Sequence, residues 1–193
     1  MAASCGAIVG QASTRAQIKR IDDYARTLDN YARRNKNSNF VLADISDYGL
    51  EKPKWRKFAS SKQFEKFRET TEVYEIANVW LRNGKCVLSV MTLSSPSGDW
   101  AKYLSLYFRP DGTLAKSGSE LRTFYGDLVV RQQFHFDSKG RLLRRTKDYF
   151  DLVTGKPKKP EGDDLLVQEG LVEQGNYYIS TKSLPFSHLL KLR

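Results

Sequence analysis

Alternating apolar and polar positions dominate the middle of this chain, from about residue 70 to 155. Three glycines occur there at 28-residue intervals, Gly84, Gly112 and Gly140. An aromatic residue lies four positions before each glycine, and an apolar residue lies two positions after it (Trp80, Phe108, Phe136; Cys86, Leu114, Leu142). A strand–turn–strand unit therefore occurs three times, which predicts an antiparallel β-meander.

The turn residues set the strand limits. Asn83-Gly84 favours a type I′ hairpin, because that turn needs positive φ at both central positions. Pro110-Asp111-Gly112 and Ser138-Lys139-Gly140 favour a type I turn closed by a left-handed glycine. These turns predict strands at about 71–82, 85–94, 100–109, 128–136 and 141–151, with the fourth strand of the meander interrupted or bulged at Ser117-Gly118-Ser119.

The 28-residue interval also predicts which side chains share a face, since strand side chains alternate with period two. One set is mostly apolar and contains Ile76, Leu104, Gln132, Asn78, Leu106, Phe134, Trp80, Phe108 and Phe136. The opposite set is polar and aromatic, and includes Tyr103, Tyr107, Arg131 and His135. We expect helices to cover the apolar face and the polar-aromatic face to stay open, concave if the twisted sheet curls into a half-barrel.

An amphipathic helix is predicted over residues 14–35. Thr14 and Gln17 have the spacing of a capping box, and an apolar stripe widened by Tyr24 and Tyr31 follows them. The stripe consists of Ile18, Ile21, Ala25, Leu28 and Ala32. A coiled coil would use the same positions, but the stripe spans only about two and a half heptads, which favours one helix docked on a sheet.

A second helical segment is predicted over residues 53–68, after a short strand at 40–45, with Ser60 and Gln63 as a fresh cap. Its aromatic residues are expected in the core. They alternate with basic residues, however, as nucleic-acid and membrane-surface patches do. The basic residues of this alternative site are Lys54, Arg56, Lys57 and Lys62. After a polar linker, an apolar tail over 165–193 is expected to dock on the body, with a short helix at 165–172 and an edge strand at 176–181.

These elements predict an α+β fold, in which both helices pack on one face of a single twisted antiparallel meander of about six to eight strands. Length and composition favour one soluble domain, 13–193, since 193 residues with 40% hydrophobic content can bury a single core. No run of apolar residues is long enough to span a bilayer. The net charge is +10, and residues 1–68 hold 14 basic against 7 acidic side chains. Such an excess attracts nucleic acid or acidic polysaccharide, although it is more often a solvated surface.

Residues 1–12 are small and apolar, and Gly10-Gln11-Ala12 has the form of a signal-peptidase site. They are interpreted as the remnant of a secretion signal, so we expect a secreted or periplasmic bacterial protein, with a cytoplasmic location as the alternative. Cys5 and Cys86 are too few for a conventional metal site, and Cys86 is expected to be a buried free thiol rather than half of a disulfide. No cofactor or metal is expected.

None of the common catalytic motifs occurs in the sequence. We therefore expect a non-enzymatic, monomeric binding or structural protein. Its candidate ligand-binding residues are Tyr103, Tyr107, Arg131 and His135, on the polar-aromatic face, for an apolar or amphipathic ligand or a protein partner. The alternative is binding of nucleic acid or acidic polysaccharide through the basic N-terminal third.

Overall fold

A computed structural model describes residues 5–35, 39–49, 52–161, 170–173 and 175–190; for residues 5–12 and 39 it describes the backbone only. Its longer elements are two α-helices and eight strands; residues 170–173 are also helical, and short 3₁₀ helices occupy Tyr125–Asp127, Thr181–Ser183 and Ser187–Leu189. In chain order the longer elements are α1 (Cys5–Arg34), β1 (Asn39–Asp44), β2 (Trp55–Phe58), α2 (Ser61–Arg68), β3 (Glu75–Arg82), β4 (Lys85–Ser94), β5 (Trp100–Phe108), β6 (Leu114–Thr123), β7 (Leu128–Phe136) and β8 (Leu142–Asp151).

All eight strands form one antiparallel sheet in the order β2-β1-β3-β4-β5-β6-β7-β8. The sheet is open, with β2 and β8 at its two ends. From β3 to β8 each strand pairs with its neighbour in sequence, so this part is the meander that the glycine spacing predicts. The expected α+β class, with both helices on one face of a single sheet, is confirmed.

The three glycine turns lie along one rim of the sheet, because each ends an odd-numbered strand of the meander. Asn83 and Gly84 have φ of 52° and 73°, as a type I′ turn requires. A register shift precedes each turn, immediately before Leu81, Phe108 and Phe136. The repeated unit is therefore a bulged hairpin. Strand β6 runs without interruption through Gly118, where the sequence predicts a break.

The bounds of α1 correct the sequence prediction. The helix is 30 residues long and begins at Cys5, so the Thr14–Gln17 pair lies inside it and does not cap it. Its end at Arg34 agrees with the predicted stop in the asparagine-rich turn. Residues 1–4 of the expected signal remnant lie outside the described residues, and export remains a prediction.

Residues 55–58 form an edge strand, β2, and not the first turn of the predicted helix. Trp55 and Phe58 are both buried although they point to opposite faces. Trp55 packs on Phe186 of the tail, and Phe58 packs on Phe64 of α2. Because both faces are covered here, a three-residue spacing of buried aromatics imitates a helix. The cap at Ser60 is as predicted, since its hydroxyl accepts a hydrogen bond from Gln63 N.

Both helices pack on the polar-aromatic face, which reverses the predicted arrangement. Pairing places Tyr107, Lys116 and His135 side by side on one face, and α1 contacts all three through Asp22 and Asp29. The opposite, apolar face is covered by residues 171–173 and 175–190 of the C-terminal segment instead. Its main core joins the sheet to that segment and includes Met91, Leu104, Leu106, Phe108, Phe134, Leu184, Phe186 and Leu190.

The predicted assignment of faces is correct for β5 and β7 but wrong for β3. Pairing connects Ala77 through Met91 to Leu104, a separation of 27 residues, whereas Leu104 connects through Ser119 to Gln132, a separation of 28. Side chains alternate along a strand, so residues 28 apart in β3 and β5 point to opposite faces of the sheet, whereas those 28 apart in β5 and β7 point to the same face. Ile76, Asn78 and Trp80 therefore lie on the helix side of the sheet, opposite Leu104, Leu106 and Phe108.

The tail also contacts the sheet through polar groups. Tail residue Asn176 is buried against the sheet, where it accepts hydrogen bonds from the hydroxyls of Ser117 and Ser119. The predicted edge strand is reduced to one bridge between Thr113 and Ser180. The predicted helix at 165–172 lies mostly outside the described residues.

Cys86 is a buried free thiol, and burial raises its pKa to about 12. None of the helices in the described part of the chain is long and apolar enough to cross a membrane.

Candidate functional site

Helix α1 crosses the strands along the glycine-turn rim and is held there by two tyrosines one heptad apart. The Tyr31 hydroxyl donates to Leu81 O at 2.7 Å, and the Tyr24 hydroxyl donates to Phe108 O at 2.6 Å. Seven helical residues rise about 10.5 Å, which is close to the roughly 9.6 Å between every second strand. Each heptad of α1 therefore advances by one hairpin.

The third hairpin interrupts this series. One heptad before Tyr24 the helix carries Gln17, and the carbonyl that follows the third bulge is Phe136 O. This carbonyl is bonded from the sheet instead, because the Arg109 guanidinium donates to it through Nη2 at 2.5 Å. The space beside Gln17 is left as a cavity.

The cavity, here called the rim pocket, has a volume of about 310 Å³. It lies between α1 and the turns of the second and third hairpins. Its lining residues are Gln17, Arg20, Ile21, Tyr24, Arg109, Pro110, Ala115 and Ser138. Ile21, Pro110, Ala115 and the tyrosine ring provide apolar wall, while the two arginines provide positive charge. The volume is at the small end of the range of ligand pockets.

Arg109 is the most tightly oriented polar group of the rim pocket. Its Nη1 donates to Leu114 O at 2.6 Å and, at 3.5 Å, to the Thr113 hydroxyl. Burial lowers its pKa, although Asp111 and Asp137 oppose this. Among the described residues no carboxylate forms a salt bridge with this guanidinium, so carbonyl and hydroxyl oxygens hold it.

Arg20 supplies a second positive charge at the same pocket. Its side chain is exposed, and it makes no ion pair or hydrogen bond with the part of the chain that the structure describes. An exposed arginine of this kind attracts anions from solution at little cost. The rim pocket therefore combines apolar wall, one fixed cation and one free cation.

His135, predicted as a ligand contact, is instead fully buried beneath α1. Its Nε2 lies 2.8 Å from Asp22, whose carboxylate also accepts from Lys116 Nζ at 2.6 Å. Because a carboxylate only accepts, Nε2 carries the proton. The other ring nitrogen has no hydrogen-bond partner among the described residues. Burial lowers the pKa of His135 despite the attraction of Asp22.

For Asp22, its partners outweigh burial in setting the pKa of the carboxylate. Burial alone would raise its pKa, but the hydrogen bonds and charges of Lys116 and His135 outweigh that effect and hold it below the usual range. Tyr107, a second predicted ligand contact, donates to Asp29 at 3.0 Å, and burial followed by Asp29 raises its pKa. His135 and Tyr107 thus hold α1 in place.

The other two predicted residues remain exposed beyond α1. Arg131 donates to Glu120 at 2.7 Å, and Arg122 does the same from the neighbouring position. Tyr103 lies under Arg122, with 5.7 Å from the guanidinium carbon to the ring centroid. The four predicted residues are therefore divided into a covered pair and an exposed pair.

The alternative basic site is spread over two faces. Arg56 pairs with Ala43 and Lys57 with Leu42, so consecutive side chains of β2 point to opposite sides. Lys57 lies over the ring of Phe40, at 3.3 Å from the centroid. Trp55, Phe58 and Phe64 are buried, and Phe67 packs against them partly buried. Lys54 and Lys62 are exposed, and anionic-polymer binding remains a prediction.

Another cavity, of about 270 Å³, is acidic, with Asp44, Asp47 and Glu75 in its lining. Burial, followed by the charge of Asp44, raises the pKa of Glu75. Asp44 is already engaged, because one of its oxygens accepts from Ser46 N, the Ser46 hydroxyl and Lys54 N. This cavity lacks the combination of apolar wall and fixed cation that distinguishes the rim pocket.

Fold and pocket together define an open, antiparallel α+β protein with a small amphipathic cavity between its long helix and a row of hairpin turns. No protein-family model matches the chain, and neither a curated protein nor a solved structure is significantly similar to it.

Proposed function

We propose that this protein binds a small amphipathic molecule in the rim pocket. The observation that carries the proposal is the interruption of the tyrosine series at Gln17, where apolar walls and the fixed Arg109 meet in one cavity of about 310 Å³. Ligand sites are typically mostly apolar cavities with a few placed polar groups. The proposal keeps the ligand class expected from the sequence and moves the site from the open face to the rim.

The position of the pocket also supports binding. Its walls come from α1 and from two hairpins that are joined by sheet hydrogen bonds and by Arg109. A cavity between packed elements of this kind is largely preformed, so little ordering energy opposes the ligand.

Gln17→Tyr tests the proposal directly, because a tyrosine there continues the series and fills the cavity. The probe is the fluorescent amphipathic anion 1-anilinonaphthalene-8-sulfonate, titrated into the native protein and followed by its emission. We expect saturable binding at one site in the unchanged protein and at least a tenfold weaker affinity in the variant.

Asn30→Tyr is the matched control, because it adds the same side chain to an exposed position of the same helix. It should bind the probe as the unchanged protein does. Equal binding by the Gln17→Tyr variant, with its fold intact by circular dichroism, would place the ligand elsewhere and overturn the proposal. So would failure of the unchanged protein to bind.

A further inference from the structure

We infer that the polar end of the ligand is a single carboxylate, held by Arg109, with a short apolar chain or ring against the pocket walls. The inference rests on the proposed function and specifies its ligand. Its starting point is the set of donors that the structure leaves available on one fixed guanidinium.

Arg109 has donors to spare in a fixed position. A guanidinium carries five N–H groups, and three contacts, to Thr113, Leu114 and Phe136, use three of them. About two donors remain on a side chain whose plane is already set by two backbone carbonyls. Two neighbouring N–H groups in one plane are the complement of a carboxylate, which accepts both at once.

The surrounding charge favours a monoanion over a dianion. Asp111 and Asp137 lie close enough to Arg109 to oppose the lowering of its pKa. Asp137 is itself paired with Arg141, whose Nε lies 2.6 Å from its Oδ2. The positive Arg20 and Arg109 and the negative Asp111 then leave one net positive charge, which one carboxylate balances. A phosphate dianion would exceed that positive charge and would also meet the field of Asp111.

The walls and the size of the pocket describe the other end of the ligand. Ile21, Ala115 and Pro110 offer no polar side-chain atom, and the cavity of about 310 Å³ admits only a small body. A medium-chain fatty acid or an aromatic acid fits this description. Arg20, exposed at the same pocket, would attract the carboxylate during approach and contribute less after binding.

Ligands that share one tail and differ in the head group test this assignment. Octanoate, octanol, octylamine and octyl phosphate are titrated calorimetrically at pH 7. Octanoate should bind best, octanol about tenfold or more weakly, since it lacks the charge-assisted pair of hydrogen bonds, and octylamine weakest. Octyl phosphate should bind no better than octanol.

Arg109→Gln should lower octanoate affinity about tenfold or more and leave octanol affinity unchanged, which also shows that the pocket is intact. Arg109→Lys keeps the charge but lacks the planar pair of N–H donors, so octanoate affinity should fall several-fold. This second variant preserves the test if the first does not fold. Arg33→Gln, at an exposed site on the same helix, is the control and should change neither affinity.

The outcomes separate the two claims. If octanol or octyl phosphate binds as tightly as octanoate, and Gln17→Tyr abolishes that binding, the pocket stands and the carboxylate assignment is overturned. Octanoate affinity that is insensitive to both Arg109 variants overturns it as well. If 1-anilinonaphthalene-8-sulfonate binds but octanoate does not, the carboxylate assignment alone is overturned. If neither that probe nor any octyl compound binds, the proposed function itself fails.

Discussion

The two faces of the sheet are covered by different kinds of chemistry. On the apolar face the tail inserts large hydrophobic side chains, with Leu184, Phe186 and Leu190 all nearly or fully buried. On the other face α1 also buries an apolar stripe, but polar atoms add to the contact, among them the Asp22 and Asp29 carboxylates. The buried stripe consists of Ile18, Ile21, Ala25, Leu28 and Ala32. The tail is held mainly by its apolar contacts, whereas the hydrogen bonds of Tyr24, Tyr31 and the two carboxylates fix the position of α1 along the rim.

This difference accounts for the position of the rim pocket on the helix side. Polar anchors are spaced by heptads and hairpins, so one missing anchor leaves a defined gap with its neighbours unchanged. Removing a side chain from the apolar core would remove contacts from every residue around it, since cores are close-packed. The helix side can therefore hold a preformed cavity at lower cost.

Truncating the apolar cover should have the largest effect on stability. Phe186 is fully buried, with its ring 4.7 Å from that of Trp55. Phe186→Ala removes this contact and leaves a cavity, so the free energy of unfolding should fall by about 3–5 kcal/mol. Urea denaturation measures it. Val153→Ala, at a residue 86% exposed, should change it by less than about 0.5 kcal/mol. Equal effects of the two variants would contradict the tail's place in the core.

Removing the main polar anchor should have an intermediate effect. Asp22→Asn takes the charge from a carboxylate that accepts from Lys116 and His135, and should cost about 1–2 kcal/mol at pH 7, after allowance for its partial exposure. Because the pKa of Asp22 is lowered in the folded protein, this stability is present above the unfolded pKa and disappears as the pH falls through the folded one.

Asp23→Asn is the control for this anchor. Within the described part of the chain, Asp23 forms ion pairs only with exposed Lys19 and Arg26 on its own helix, so its removal should cost less than about 0.5 kcal/mol. Chemical denaturation at pH 7 and pH 3 should show the two variants converging in acid. A constant difference between them would contradict the assigned role of Asp22.

Removing one tyrosine hydroxyl should have the smallest effect. Tyr24→Phe deletes the hydrogen bond to Phe108 O and leaves the ring in place, so the free energy of unfolding should fall by about 0.5–1.5 kcal/mol. Tyr31→Phe should cost a similar amount, because its bond to Leu81 O is equivalent. Urea denaturation compares them. A marked difference between the two would show that α1 does not follow the hairpin repeat.

Local sequence patterns predicted much of the fold because they depend on short-range physics. The bounds of β4 and the type I′ turn at Gly84 follow from alternation and turn chemistry. The face of β3 could not be predicted, because the separation between equivalent residues of β3 and β5 is odd. Trp55 and Phe58 imitate a helix only because both faces of β2 are covered.

The rim pocket could not be predicted in the same way. Its residues come from α1 and two separate hairpins, and only the packing of the helix on the sheet brings them together. One signal was present, since Tyr24 and Tyr31 are spaced by a heptad and the hairpins by 28 residues. Without the strand spacing, nothing in the sequence relates these two periods or marks Gln17 as the interruption.

The fold and the rim pocket both require that α1 covers the polar-aromatic face, and the imidazole of His135 reports on that cover. Burial places its folded-state pKa below the ordinary value of 6.5. The unfolded chain therefore takes up the proton first, and stability falls as the pH falls below about 6.5. The chain has one other histidine, the exposed His188, so each imidazole signal can be assigned.

A nitrogen-15 NMR titration of the two histidines is the most direct measurement. If α1 covers His135, we expect the neutral imidazole to carry its proton on Nε2, to exchange that proton slowly with water, and to titrate below pH 6.5. An open polar-aromatic face would instead give a rapidly exchanging His135 that titrates at or above pH 6.5, and that result would contradict the account.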